Sequence, residues 1–217
     1  MNASSVKIDR RAERRAVRRA ENRTEILDAA EKVFGANGLR DGSLREIGEE
    51  SGFSPAAIYL FFDNKQHLVA ETLSRRGDEL IGAVRREAES DLAPLEKLHR
   101  IVDATELFFA ERPNFRMLLR HIRGGATITG PILAEFANGA SARFDEVMGV
   151  LAGLVRDGQD AGEIRDGDER AFAHLYSVLI NEFVLLTSSD DADVGTLTSA
   201  QFHALIDGAL RNQQTRG

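Results

Sequence analysis

The stretch SLREIGEESGFSPAAIYLFFDNK, residues 43–65, restricts the fold of this chain more than any other. Ser43 and Glu46 have the spacing of a capping box: the serine oxygen accepts a free N–H of the first turn, and the glutamate reaches back to the serine N–H. Leu44, Ile47 and Gly48 sit at i, i+3 and i+4 and form one inward face. Gly52 suits the left-handed residue that ends a helix. Ser54 and Pro55 start another, with serine as N-cap and proline at the first helical position, where its missing N–H costs nothing. Ile58, Phe61 and Phe62 make the apolar stripe of this second helix. Asp63 and Asn64 stop it and cap a third helix starting near Lys65. Two short helices joined by a glycine turn form the helix-turn-helix pattern.

The remainder reads as helix. Ile26, Leu27, Ala30, Val33 and Phe34 follow i, i+1, i+4, i+7 and i+8, and Asn37-Gly38 closes that helix. Its apolar face completes a three-helix module. Apolar periodicity predicts further helices over residues 65–89, 94–110, 115–122, 131–155, 168–187 and 196–211. A Gly124-Gly125 exit follows the short helix at 115–122, a loop rich in Gly and Asp is predicted over residues 157–167, and an acidic linker over 188–195. No stretch alternates β-branched residues with period two, so the fold class is all-α, with about nine helices. At 217 residues and 42% hydrophobic composition, the chain can bury a sizeable core. It has no cysteine, which excludes a disulfide scaffold and thiolate metal sites. No run of about 18 apolar residues predicts a membrane span. The basic N-terminus lacks the apolar core of a secretory signal, and a cytoplasmic location is expected.

The net charge of −7 argues against a polyanionic partner, but its distribution does not. Residues 1–23 carry eight Lys and Arg against three Asp and Glu. Residues 24–76 carry six against nine, and the rest fourteen against twenty-three. The positive excess is therefore confined to an N-terminal arm. There Arg10, Arg14 and Arg18 form one row at helical spacing of four, and Arg11, Arg15 and Arg19 a second. Two readings stand: a solvated tail, or an arm that lies along DNA phosphates or reaches into a minor groove. Its place directly before a helix-turn-helix favours the arm.

Catalytic and metal readings find little support. The five histidines, at 67, 99, 121, 174 and 203, are dispersed, without a His-x-x-x-His pair. There is no P-loop, no Gly-x-Ser-x-Gly and no dinucleotide fingerprint. The expectation is no enzyme, no metal and no cofactor.

The run ILDAAEKVFGANGL, followed by SLREIGEESGFSPAAIYLFFDNKQHL, resembles the DNA-binding domain of the tetracycline-repressor (TetR) family of transcriptional regulators. The likeness covers residues 24–70 and rests on several elements in order: Ala-Ala…Phe…Gly, Ser-x-x-x-Ile-Gly, Gly-aromatic-Ser, Ile-Tyr-x-x-Phe and Asn-Lys-x-x-Leu. It implies that Ser43 and Lys65 meet phosphates and that Arg45 touches phosphate or a base edge. It also implies that Ser54, Ala56, Ala57 and Tyr59 form the exposed side of the recognition helix, with the Tyr59 hydroxyl on a phosphate. Arg14, Arg15 and Arg18 are the candidates in the arm. At the position of Phe61 the family often has His or Tyr on the DNA backbone, and phenylalanine cannot donate a hydrogen bond.

The resemblance divides the chain into a basic arm (1–21), a DNA-binding domain (22–66) and a helical ligand-binding and dimerisation domain (67–217). It implies double-stranded DNA as partner, a homodimer through the last two helices, and a small, largely apolar effector. The pocket candidates are Phe108, Phe115, Leu119, His121, Ile122, Phe136, Phe144, His174, Tyr176 and Asn181; each apolar one is more often plain core than pocket wall. The implied function is a ligand-responsive repressor binding a pseudo-palindromic operator. The alternative is a regulator of the same kind whose helical body binds a protein and no small molecule.

Overall fold

The computed structural model describes residues 3–123, 131–186 and 197–212, with side chains for residues 10–122, 141–184 and 197–212. The helices are α1 (Ala3–Asp41), α2 (Leu44–Ser51), α3 (Pro55–Ile58), α4 (Lys65–Ala88), α5 (Pro94–Ala110), α6 (Pro113–Arg123), α7 (Pro131–Asp160), α8 (Glu169–Leu186) and α9 (Ser199–Leu210). Among the described residues there is no β-strand, and the fold is all-α with an N-terminal helix-turn-helix. The chain forms two compact units. One comprises Met1–Leu73 with Met117–Ala134, the other Ser74–Arg116 with Glu135–Gly217. The Gly124-Gly125 exit and the acidic linker lie outside the described residues.

In the first unit the apolar stripe of α1 is the core. Ile26, Leu27, Ala30, Val33 and Phe34 are buried, and so are Ile47, Ile58, Phe62 and Leu68. The basic arm and the first amphipathic segment form one helix, in which Gly38 alone leaves helical geometry (φ 78°, ψ 169°). The Ser43 capping box forms as its spacing requires, with Glu46 N–H donating to Ser43 Oγ at 3.2 Å and Ser43 N–H to Glu46 Oε2 at 2.8 Å. Gly52 takes the left-handed conformation (φ 76°) that ends α2. Asn64 Oδ1 accepts the His67 N–H at 2.8 Å and caps α4. The His121 ring N–H donates to the Gly35 carbonyl at 3.1 Å, tying α6 to the end of α1.

In the second unit α5 packs against α8 and α9. Phe183 of α8 stacks on Phe202 of α9, with centroids 4.3 Å apart and planes 16° apart. Such a pair stabilises by about 0.5–1.5 kcal/mol beyond its area. Thr198 and Gln201 form a second capping box at the start of α9. His99 and His203 stack at 4.6 Å, each beside a carboxylate, Asp207 at 2.9 Å and Asp103 at 3.0 Å. Tyr176 is fully buried and its hydroxyl donates to the Leu98 carbonyl. Burial, with Asp103 nearby, raises the Tyr176 hydroxyl well above its ordinary pKa. The raised value means the hydroxyl's contribution is present below the ordinary tyrosine range and is lost only at strongly alkaline pH. Tyr176→Phe is expected to lower stability by about 1 kcal/mol, because the Leu98 carbonyl keeps a helical partner; urea denaturation measures the loss.

Two expectations are corrected. The recognition helix does not run to Asp63: α3 ends at Ile58, because the bonding tightens to three-residue turns at Leu60 and Phe61. Residues 157–167 do not form a loop throughout: α7 continues to Asp160. The reason is Ile164, fully buried despite its polar neighbours. Its side chain lies against the backbone of Gly158, where an added Cβ would come within 2.5 Å of Ile164 Cδ1. The chain turns at Gly162 (φ 72°), and Ile164 then bridges Arg211 beyond α9.

Candidate nucleic-acid interface

The helix-turn-helix is set by the turn between α2 and α3. Ser54 Oγ accepts the Ala57 N–H at 3.2 Å, with Pro55 at the first helical position. The regular part of α3 is short. After Ile58 the bonding tightens, with Leu60 N–H on Ala57 O (3.1 Å) and Phe61 N–H on Ile58 O (2.9 Å). This three-residue spacing carries the chain through Phe61 as a tighter turn. Ile58 and Phe62 face inward, and the Phe53 ring meets the edge of Phe61 at 6.3 Å. Ala56 is exposed, Ala57 half-buried, and Tyr59 and Leu60 are 53% and 71% exposed. The outer surface of the recognition segment is thus methyl groups, an isobutyl group and one phenol.

Its charges are largely engaged within the unit. Arg45 Nε pairs with Glu49 at 2.9 Å, one helical turn on. Lys32 Nζ pairs with Glu50 at 2.7 Å. Lys65 Nζ donates to the Arg40 carbonyl at 3.0 Å and lies 5.8 Å from the Phe34 ring centroid. Partial burial lowers the Lys65 pKa, opposed by Asp41 and Glu46. The Ser43 hydroxyl donates to Glu46 Oε2 at 2.7 Å. These bonds from the Ser43 hydroxyl and N–H hold the Glu46 carboxyl below its ordinary pKa. The cap is therefore complete at neutral pH and weakens as acid carries Glu46 through its lowered value.

Cationic surface comes instead from α1. Arg14, Arg15 and Arg18 are exposed there, as are Arg10 and Arg11. Two arginines omitted from the sequence candidates turn toward the recognition segment. Arg19 Nη2 donates to the Leu60 carbonyl at 3.1 Å and its guanidinium lies 5.2 Å from the Phe61 centroid. Arg23 lies 5.0 Å from the Phe62 centroid and pairs with Glu71 at 2.8 Å. The four-residue spacing of Arg19 and Arg23 was visible, but their aromatic partners lie about forty residues away.

The pocket candidates occupy several places. Phe108 and Phe115 are buried and meet edge to face at 6.2 Å. Phe144 is 44% exposed and its ring meets that of His174, also exposed, at 6.1 Å. Tyr176 is core, and Asn181 faces solvent. Leu119, His121 and Ile122 are half-buried on α6. The side chain of Phe136 lies outside the described residues. An open groove of about 630 Å³ between α4 and α5 is lined by Asp78, Glu79, Arg86, Leu107, Phe108 and Arg112. Arg112 binds Glu79 at 3.2 Å there and covers the Phe108 ring at 4.2 Å; it falls between the helices expected over residues 94–110 and 115–122, and nothing in the sequence pattern singled it out. No group of histidines and acids among the described residues has the arrangement of a metal site.

Residues 26–72 match the family described as bacterial regulatory proteins, tetR family. The chain is 32% identical over 180 residues to the HTH-type transcriptional regulator TtgR of Pseudomonas putida, covering 79% of this chain and 84% of that protein. It is 31% identical over 150 residues to the HTH-type transcriptional repressor KstR2 of Rhodococcus jostii, covering 65% and 69% respectively. The fold is similar to that of AibR solved with isovaleryl coenzyme A and operator DNA. There the TM-score is 0.66 at 20% identity, over 88% of this chain and 98% of that one.

Proposed function

The chain belongs to the tetR family of bacterial regulatory proteins and is a DNA-binding transcriptional regulator, and from this we propose a repressor that releases its operator when it binds a small effector. The observation that carries this reading is the outward surface of the recognition segment: Ala56 and Tyr59 are presented to solvent while Ile58 and Phe62 anchor them from below. A duplex major groove admits such a helix. With few polar groups there, base discrimination comes from methyl contacts to thymine, from Arg45 and from DNA shape. Ser43, Ser54 and Lys65 serve as backbone contacts through their helix N-termini. In this scheme residues 1–21 are the arm, 22–66 the DNA-binding domain and 67–217 the effector and dimer domain, working in the cytoplasm without a cofactor. No helix among the described residues is long and apolar enough to cross a membrane.

Two-fold symmetry follows from the operator class, with recognition helices about 34–36 Å apart in successive major grooves. The α8 and α9 helices suit the dimer contact. With Phe183 and Phe202 packed inside, Leu175, Val178 and Leu205 remain exposed beside Ala204 and Gly208. An effector that binds better to one spacing of the two heads shifts the population, and only its differential affinity does so. An acyl effector is in keeping with AibR, similar in fold, which was solved with isovaleryl coenzyme A. Binding is tested on a duplex selected by the chain from a random pool, with a panel of apolar acids and their coenzyme A thioesters added. Release by one compound supports the reading; binding indifferent to all of them favours a protein partner for the body.

The arm makes a separate expectation. Changing Arg14, Arg15 and Arg18 together to alanine should weaken binding alike on all duplexes and, with two arms on each duplex, reduce the slope of log K against log salt by about 5, near 0.9 per phosphate lost. An unchanged slope would return the arm to a solvated tail.

A further inference from the structure

We propose that Arg19 makes a DNA-backbone contact at the end of the recognition segment, with the Phe61 ring as its seat. This rests on the DNA-binding reading above. Phe61, at the end of the recognition segment, is half-buried and offers no hydrogen-bond donor of its own to a phosphate. The Arg19 guanidinium lies 5.2 Å from the centroid of that ring and donates to the Leu60 carbonyl at 3.1 Å. The ring and the carbonyl orient the cation without cancelling its charge. The bond to Leu60 uses one of five guanidinium N–H donors. Among the described residues no carboxylate pairs with Arg19, whereas Arg23 is tied to Glu71 and Arg45 to Glu49. Arg19 is exposed, as are Tyr59 and Leu60 beside it. An oriented, uncompensated guanidinium fits the two oxygens of a phosphate, which it can hold through two parallel bonds.

The placement also joins two surfaces. Arg15 and Arg11 precede Arg19 at four-residue steps, about 6 Å of helix rise each. Arg19 is the point at which this row meets the recognition segment. It sets the register in which the arm lies on the duplex.

The test uses the full chain and a labelled duplex selected by it from a random pool, with anisotropy titrations across a potassium chloride series. R19Q keeps a donor for the Leu60 carbonyl and loses the charge. With two chains on the duplex it should lower the salt slope by about 1.8, near 0.9 for each Arg19, and weaken binding at least roughly tenfold at physiological salt. R19K should keep the slope. F61H added to R19Q should recover part of the affinity by restoring a donor at position 61. An R19Q chain with the wild-type slope overturns the proposal, even where affinity falls, because Arg19 would then only brace the turn. Thermal melting of each variant separates that bracing from misfolding, and R19K reports the same slope if R19Q melts early. Wild-type chain that shows no salt-dependent binding to any duplex overturns the DNA-binding reading itself, a result distinct from an unchanged R19Q slope.

Discussion

Ala57→Glu is expected to abolish operator binding while leaving the chain folded. Ala57 is the third residue of α3 and its N–H is held by Ser54 Oγ. Glutamate at this position completes a Ser-x-x-Glu capping box with Ser54 and places negative charge at a helix N-terminus, both of which favour the helix. The same carboxylate enters the first turn of the recognition segment, where the proposed partner is a polyanion. Residues 43–65 already carry two cations, Arg45 and Lys65, against four acids. Like-charge placement in an interface costs several kcal/mol, so a loss of at least about 100-fold is expected. Anisotropy measures the loss, and a thermal midpoint equal to or above the parent's shows that the fold is not its cause. Undiminished binding would move the recognition surface elsewhere.

Gly48→Ala is expected to damage both fold and binding. An added Cβ at Gly48 would meet the Phe53 carbonyl oxygen at 2.4 Å. That oxygen is backbone, in the turn that leads into α3, so relief requires the two helices to separate. Overpacking of this kind costs about 1–3 kcal/mol. In a chain of this length each kcal/mol lowers the thermal midpoint by roughly 2–4 °C. The helix-turn-helix angle changes with it, and misplacement of α3 by about an ångström should lower operator affinity at least about tenfold. Gly52→Ala is the control: its φ of 76° strains alanine, but nothing lies within 4 Å of the new Cβ. It should cost about 1 kcal/mol and leave the angle of the two helices unchanged. Equal affinity losses in both variants would contradict the assignment of Gly48 as the contact point.

Local chemistry was the legible part of this chain. Ser43 with Glu46, Gly52, and Ser54 with Pro55 each act within four residues, so spacing alone marked both ends of α2 and the start of α3, whereas α3 ends at Ile58 and not at Asp63. The buried stripe of α1 was legible for the same reason, since Ile26 to Phe34 repeat at helical period. Contacts that close over long separations were not. Ile164 sits among Asp, Gly and Arg, and only its packing on Gly158 and its bridge to Arg211 make it core. Arg19 was one arginine in a regular helical row until Phe61 came beneath it. The effector candidates were least legible, because an apolar residue at helical period shows that it turns inward and not whether a neighbour or a ligand meets it. Phe108 and Phe115 meet each other, while Phe144 and His174 meet at the surface.

The central claim is that a weakly charged recognition segment chooses the site while the α1 arginines supply most of the affinity. The measurement that tests it most directly is the salt dependence of binding for two duplexes, the selected one and a scrambled one of equal length. The expected result is two chains per selected duplex, tighter binding than to the scrambled one, and steep slopes on both that fall together when Arg14, Arg15 and Arg18 become alanine. Equal affinity for the two duplexes, or slopes indifferent to the arm, would contradict it.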